Sequence, residues 1–247
     1  MDVATVKQAA VVAVTLIVAT VAAIEPSVYY IQSPSGNFFR APGKTMPDAG
    51  VTQTKSPSSI CECKNMCFVS LSCLAWSVVT LADGTSECRL ADAGPLSYQV
   101  ENNTQATYFF KEASVDGEYH LDVDRLLYLK PPIIVNYLTA KEHCQKIPGH
   151  RLGIYKTMQQ YNMLGAYTTT SVTADSLYMD LEKVGTDLYW GDGTLYTDTE
   201  IGRNVTVRDF IKPERYIMMF WDSELSDGRP ADSRQFMCQA NPLGVAW

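Results

Sequence analysis

Polar caps and apolar stripes divide the chain into short helices and strands. Ser59 with Glu62 three residues on is a capping box, predicting a helix from Ile60 to about Val69. Cys63 and Cys67 then stand at i and i+4 on one helix face. "CLAWSVVT" (73–80) is rich in strand-forming residues, Asp83-Gly84 is a hairpin signal, and "CRLAD" (88–92) reads as the returning strand. "GNFFRAPGKTMPDAGVTQTKSPSS" (36–59) is dense in Pro, Gly, Ser and Thr and reads as a long loop.

Further on, Asn136 caps a helix whose apolar stripe is Tyr137, Ala140, Cys144 and Ile147, ended by Pro148-Gly149. A strand, "RLGIY", follows (151–155). Thr157 with Gln160 opens a second helix. Residues 176–196 read as strand, turn, strand, with Gly191-Asp192-Gly193 as a further turn. "YIMMFW" (216–221) and "RQFMCQ" (234–239) are late strands. Helices come first and strands after, the order of an α+β fold and not of repeating βαβ units.

The N-terminus changes the picture. One lysine, Lys7, precedes an uncharged run from Ala9 to Ile24, and Ala22-Ala23 closes it. Sixteen residues fall short of the roughly 20 that cross a bilayer, so residues 1–23 read as a secretory signal peptide. An uncleaved anchor is the alternative. No second long apolar run exists, which leaves the mature chain without a transmembrane span and places it outside the cell. There thiols pair. Cys61, Cys63, Cys67, Cys73 and Cys88 form no C-x2-C knuckle and have no neighbouring histidine, so disulfides are favoured over zinc. Asn102 and Asn204 each open an N-glycosylation sequon. The formal charge of −7, with no basic cluster, argues against nucleic acid as a partner.

Five cysteines lie between 61 and 88, and the next is Cys144. The polar stretch 111–124 separates two blocks, 24–114 and 118–247. In the first, the pattern C-x3-C-x5-C-L-A-W-S-x10-C-R-L resembles the PAN/apple domain, a helix on a sheet. The resemblance implies the disulfides Cys63–Cys88 and Cys67–Cys73, with "SVYYIQ" (27–32) and "ATYFFK" (106–111) completing the sheet. Cys61 has no place in the pattern. It is either unpaired or partnered elsewhere in the chain, or it links two chains as a disulfide-bonded dimer. Tyr29, Tyr30, Phe38 and Phe39 read as core, with a binding surface as the alternative.

The second block resembles the C-type lectin-like domain. Tyr137, Ala140 and Cys144 match its first helix, Gly149 to Leu152 loosely match the following turn, Trp190, Asp192 and Gly193 match its W-x-D-G, and Phe236, Met237 and Cys238 match its terminal F-x-C. This implies a Cys144–Cys238 disulfide. Sugar-binding members hold calcium with an acid/amide–Pro–amide/acid triplet and a later Asn-Asp pair. Here the triplet is Lys212-Pro213-Glu214, and Ala231-Asp232 stands where the pair should be. Lysine offers calcium no oxygen. The family's inner disulfide has no counterpart, and a cis Pro213, frequent in the family, is left open.

Asp222, Glu224, Asp227 and Asp232 crowd "WDSELSDGRPAD", which reads as a solvated acidic loop. A calcium site rearranged onto Glu214, Asp222 and Asp232 is the alternative. Glu214, Trp221, Asp222 and Asp232 are the candidate ligand-binding residues. Trp76, Trp190 and Trp221 read as core packing, with Trp221 nearest the ligand loop; Trp247 reads as terminal and mobile. His120, His143 and His150 belong to no catalytic motif, and neither a G-x-S-x-G elbow nor H-E-x-x-H occurs. The sequence points to a secreted, noncatalytic recognition protein without a required cofactor. Its partner would be a glycan or an extracellular protein, with innate immune recognition as a use. The alternatives are a calcium-dependent lectin with substituted ligands and a structural or adhesion protein.

Overall fold

The computed structural model describes residues 26–168, 176–208, 217–221, 224–229, 231–245 and 247, with the backbone alone for 217–221. The expected signal peptide lies outside them. None of the described helices is long and apolar enough to cross a membrane.

The first block comprises β1 (Tyr29–Ile31), β2 (Phe38–Thr45), β3 (Gln53–Lys55), α1 (Ile60–Val69), β4 (Ala75–Thr80), β5 (Ser86–Ala91) and β6 (Glu101–Lys111). Its strands form one antiparallel sheet in the order β1-β2-β6-β4-β5-β3. Residues 36–59 are therefore not a loop throughout. Phe38 and Phe39 start β2, and the strand tolerates Pro42 because the β2–β6 register shifts between Pro42 and Lys44. α1 starts where its box predicts, with Glu62 N–H donating to Ser59 Oγ at 3.2 Å. The reciprocal half differs: the Glu62 carboxylate accepts from Ser58, from its N–H at 2.6 Å and its hydroxyl at 2.7 Å.

Successive side chains of a strand point to opposite faces, and here both faces are apolar. Phe38, Trp76, Val78, Leu90 and Phe109 lie on the α1 side with the four half-cystines Cys63, Cys67, Cys73 and Cys88. Cys63 is bonded to Cys88 and Cys67 to Cys73, tying the helix to that face. Trp76 stacks on Phe109, centroids 4.9 Å apart. Phe39, Ala41, Ala75, Ala91, Tyr108 and Phe110 take the other face, and the second block covers them.

That block runs β7 (Glu118–Leu121), β8 (Leu127–Lys130), α2 (Tyr137–Lys146), β9 (His150–Leu152), α3 (Met158–Thr168), β10 (Ser176–Val184), β11 (Asp187–Trp190), α4 (Glu200–Asn204), β12 (Val207–Arg208), β13 (Ile217–Trp221), β14 (Glu224–Gly228), β15 (Gln235–Phe236) and β16 (Cys238–Ala240). One sheet is β7-β8-β16-β9; the other is β11-β10-β13-β14-β12, with β15 alongside β10. β16 lies between β8 and β9, placing Cys238 opposite both Leu129 and Leu152. The Cys144–Cys238 disulfide fastens α2 to this central strand. Asn136 caps α2 through Thr139 N–H at 3.0 Å. Thr157 and Gln160 make a complete box at α3, each side chain accepting from the other's N–H at 3.2 Å. Stretches not predicted as elements also form them: Glu118–Leu121, Leu127–Lys130, Val207–Arg208 and Glu224–Gly228 are strands and Glu200–Asn204 is a helix.

The strands of the two blocks stay apart, but the core does not. One cluster takes Val28, Phe39 and Phe110 from the first block and Leu129, Cys144, Leu152 and Cys238 from the second. Gly149 shows how close the approach is. It has φ +74°, and a Cβ there would sit 2.5 Å from Val28.

His150 is buried at the same junction, its ring edge-on to Phe39 and Tyr119. Nδ1 lies 3.0 Å from Pro148 O and Nε2 lies 3.2 Å from the Tyr119 hydroxyl. A neutral ring that donates from Nδ1 and accepts at Nε2 satisfies both. Burial, only partly offset by the Pro148 carbonyl, pushes the imidazole pKa down to about 4. The unfolded chain protonates this residue near pH ~6.5. Its stabilisation is therefore complete above that pH and is lost as pH falls toward about 4, by up to about 3 kcal/mol. Urea midpoints measured at steps from pH 7.5 to 4 should fall through this window. A His150→Asn variant should lose that part of the slope, and an unchanged slope would assign it to carboxylates.

Candidate functional site

Residues 209–216, between β12 and β13, and 222–223, between β13 and β14, lie outside the described residues. The described residues that frame them meet. β12 runs parallel to β14, pairing Val207 with Leu225, and Trp221 pairs with Glu224 across the hairpin. Arg208 Nε reaches Glu224 Oε2 at 2.9 Å, with both side chains largely exposed.

This pair rims an open cleft of about 520 Å³ lined also by Met158, Tyr161, Asn204, Val205 and Thr206. α3 supplies Met158 and Tyr161 as a half-buried floor. α4 is capped by Thr199, whose hydroxyl accepts from Gly202 N–H at 3.1 Å, and the Tyr196 hydroxyl holds Val205 O at 3.0 Å. Burial, and after it the Glu224 carboxylate, raises the Tyr161 hydroxyl pKa, so this phenol is a neutral donor and acceptor in the cleft. An apolar floor with an exposed charged rim suits a polar, shape-matched ligand.

Of the residues singled out from the sequence, Glu214, Asp222, Lys212 and Pro213 lie outside the described residues, and Trp221 is described by its backbone. Asp232 follows the far end of β14 from Glu224. Its carbonyl accepts from the Tyr178 hydroxyl, and its carboxylate lies 3.5 Å from Arg234 Nη2. Among the described residues, no group of three or more His, Cys, Asp or Glu is arranged to hold a metal ion. Cys61 is free and exposed on α1. Asn102 Oδ1 accepts from Lys44 Nζ at 2.5 Å on β6, whereas Asn204 Nδ2 donates to Glu200 O at 2.7 Å beside the cleft. Trp76 and Trp190 are buried. Trp247, expected to be mobile, instead packs against the second core cluster with the Arg151 guanidinium 3.6 Å over its ring.

Sequence reasoning missed Arg208, Tyr161 and Met158 and read Glu224 as part of a solvated loop. The alternation Glu224, Leu225, Ser226 was the available signal, since Leu225 is fully buried.

Beneath the sheet, α2 grips β10. Tyr137 Oη lies 2.8 Å from both Asp180 Oδ1 and Glu182 Oε1, and Lys141 Nζ lies 2.8 and 3.2 Å from the same two oxygens. Burial alone would lower the Lys141 pKa, but the two carboxylates outweigh it and the net shift is upward. Asp180 also explains Gly191 in the W-x-D-G stretch, since a Cβ there would stand 1.9 Å from Asp180 Oδ2.

No family model and no curated protein matches the chain. The similarity found is to solved structures, among them C-type lectins. They include TC14, a C-type lectin from the tunicate Polyandrocarpa misakiensis, 16% identical over 46% of this chain and 96% of that one, with a TM-score of 0.39. Human lithostathine is 13% identical over 49% of this chain and 87% of its own, TM-score 0.41. SPL-1, solved with GlcNAc, is 9% identical over 53% and 97%, TM-score 0.39.

The Lys141 cluster generates a test of the scaffold. Lys141→Met leaves the Asp180 and Glu182 carboxylates without their shared cation and should destabilise the protein by roughly 2–4 kcal/mol at pH 7. Chemical denaturation at pH 7 measures it, and a change within about 0.5 kcal/mol would mean the cluster contributes nothing.

Proposed function

We propose that this is a secreted, noncatalytic recognition protein: a PAN/apple-like module (24–114) followed by a C-type lectin-like module (118–247) that binds a glycan or an extracellular protein surface. Ligand engages the cleft rimmed by Arg208 and Glu224. The observation that carries the reading is the meeting of this exposed ion pair with the Met158–Tyr161 floor. Loops set on a disulfide-fastened sheet are a common way to present a binding surface.

Several features support the rest. The helix fastened to its sheet by Cys63–Cys88 and Cys67–Cys73 fits a PAN/apple-like module. Three disulfides and an apolar leader fit secretion, and recognition of foreign surfaces in innate defence is a use of such a protein. Calcium plays no part in binding: Lys212 brings a positive charge to the usual triplet, and the Asp232 carboxylate faces Arg234. Asn102, on the exposed end of β6, carries N-glycan. At Asn204 a glycan would compete with the bond to Glu200 and border the cleft.

The purified secreted protein, applied to a glycan array and to a panel of extracellular proteins with calcium and then with chelator, tests the reading. Binding should change by less than about 2-fold between the two conditions. Arg208→Ala and Glu224→Ala should each weaken it about 10-fold while leaving the melting temperature within a few degrees, since an exposed pair is worth at most about 1 kcal/mol. Loss of binding with chelator, or full binding by both variants, would overturn it.

A further inference from the structure

Away from the cleft, a second, half-enclosed cavity of about 230 Å³ lies between β9, the start of α3 and the C-terminal segment. Its lining joins the apolar Leu126, Ile154 and Trp247 to the polar Arg151, Lys156, Thr157, Gln160 and Gln239.

The hydrogen-bonding inventory of this lining is one-sided. Gln239 Oε1 already accepts from Arg151 Nε at 3.2 Å and Ile154 N–H at 3.3 Å; its amide donates to the Tyr128 hydroxyl at 3.1 Å and Ile154 O at 3.0 Å. Gln160 Oε1 accepts from the N–H groups of Lys156 and Thr157, at 2.7 and 3.2 Å, and its amide donates to Asp124 Oδ2 at 3.0 Å. Both carboxamide oxygens are thus occupied. Arg151 has five N–H donors, of which Nε alone has an acceptor within bonding distance among the described residues. Lys156 places Nζ 2.5 Å from Asp192 Oδ2, leaving further donors on the ammonium. The unused capacity is donor capacity.

Charge points the same way. Asp192 serves both cations, bonded to Lys156 and 3.8 Å from Arg151 Nη1, so the trio carries one excess positive charge. Behind the lining, Asp180 shares Lys141 with Glu182, and Asp124 keeps its charge while accepting from Leu126 N–H, Tyr128 and Gln160. The indole of Trp247 lies against the guanidinium face at 3.6 Å, which fixes its plane and leaves its edge for planar, bidentate contact.

We propose that this cavity is an oxyanion site, taking the carboxylate or sulfate group of a small ligand. Arg151 is the bidentate donor and Lys156 the second cation. Thr157 adds a hydroxyl, and Trp247 holds the guanidinium in place. A sugar acid or sugar sulfate and a free inorganic anion share this chemistry. The site does not depend on the cleft reading, which guides only the choice of sugar probes.

Titration of the full secreted chain with glucuronate, glucose 6-sulfate, inorganic sulfate and glucose, by calorimetry and tryptophan fluorescence, tests it. The charged probes should bind saturably and at least about 10-fold tighter than glucose, and more weakly as salt screens the site. Arg151→Gln and Lys156→Gln should each weaken them about 10-fold, and Trp247→Ala about 3- to 10-fold without unfolding the chain. Inorganic sulfate matching glucose 6-sulfate would uphold the site and identify the free anion as its ligand. Equal binding of glucose, no saturation by roughly 50 mM of any charged probe, or unchanged binding by all three variants would overturn it. Cleft variants at Arg208 and Glu224 should leave these titrations unchanged, so the two readings fail separately.

Discussion

A sheet that is apolar on both faces must be covered on both. The β1-β2-β6-β4-β5-β3 sheet alternates Phe38 with Phe39, Ala75 with Trp76 and Phe109 with Phe110, and each neighbour feeds a different core. One face is closed within the block by α1, a short helix that buries Cys63 and Cys67 and packs Met66 and Phe68 against the sheet, held by two disulfides. On the other face Met46, Tyr98 and Val100 of the same block pack together with Leu129, Cys144 and Cys238 of the second. Truncating a buried Phe to Ala typically costs about 3–5 kcal/mol, and Phe39 packs on Tyr119 and His150 of the second block as well as on Phe110 of its own, so separation of the blocks is opposed.

The junction has the fit of an interior. Phe39 stacks on Phe110 at 4.8 Å and tilts against Tyr119 at 4.9 Å, and the Gly149 turn lies directly against Val28. Two modules on a linker move relative to each other by default unless their interface is large and apolar. Here the shared cluster holds Cys144 and Cys238, so the disulfide that organises the second block is packed by the first. The cleft and the cavity behind β9 rest on a second cluster, and β10 joins the two, with Tyr178 in the shared cluster and Leu177 and Met179 in the other.

Much of the scaffold was legible because it rests on local chemistry. The Ser59, Asn136 and Thr157 caps start helices at the predicted residues, and the three disulfides are the pairs that the two resemblances imply. What was illegible depends on distant partners. β2 hides behind a Pro- and Gly-rich composition and becomes a strand because β6 pairs with it from Phe38 to Thr45. β14 hides behind four acidic residues, although Leu225 anchors it. Arg208 and Glu224 are far apart in sequence and meet only through the parallel β12–β14 pairing. Trp247 is ordered by a stack on Arg151 that a terminal position gives no reason to expect. That one core runs across the polar stretch 111–124 is likewise invisible in the sequence.

The most direct test of this account is calorimetry of the purified secreted chain, scanned with and without Phe39→Ala. A shared core should give one cooperative transition, with calorimetric and van't Hoff enthalpies in agreement, and the substitution should move the whole transition down. Two resolved transitions, of which Phe39→Ala shifts only the one belonging to the first block, would contradict it.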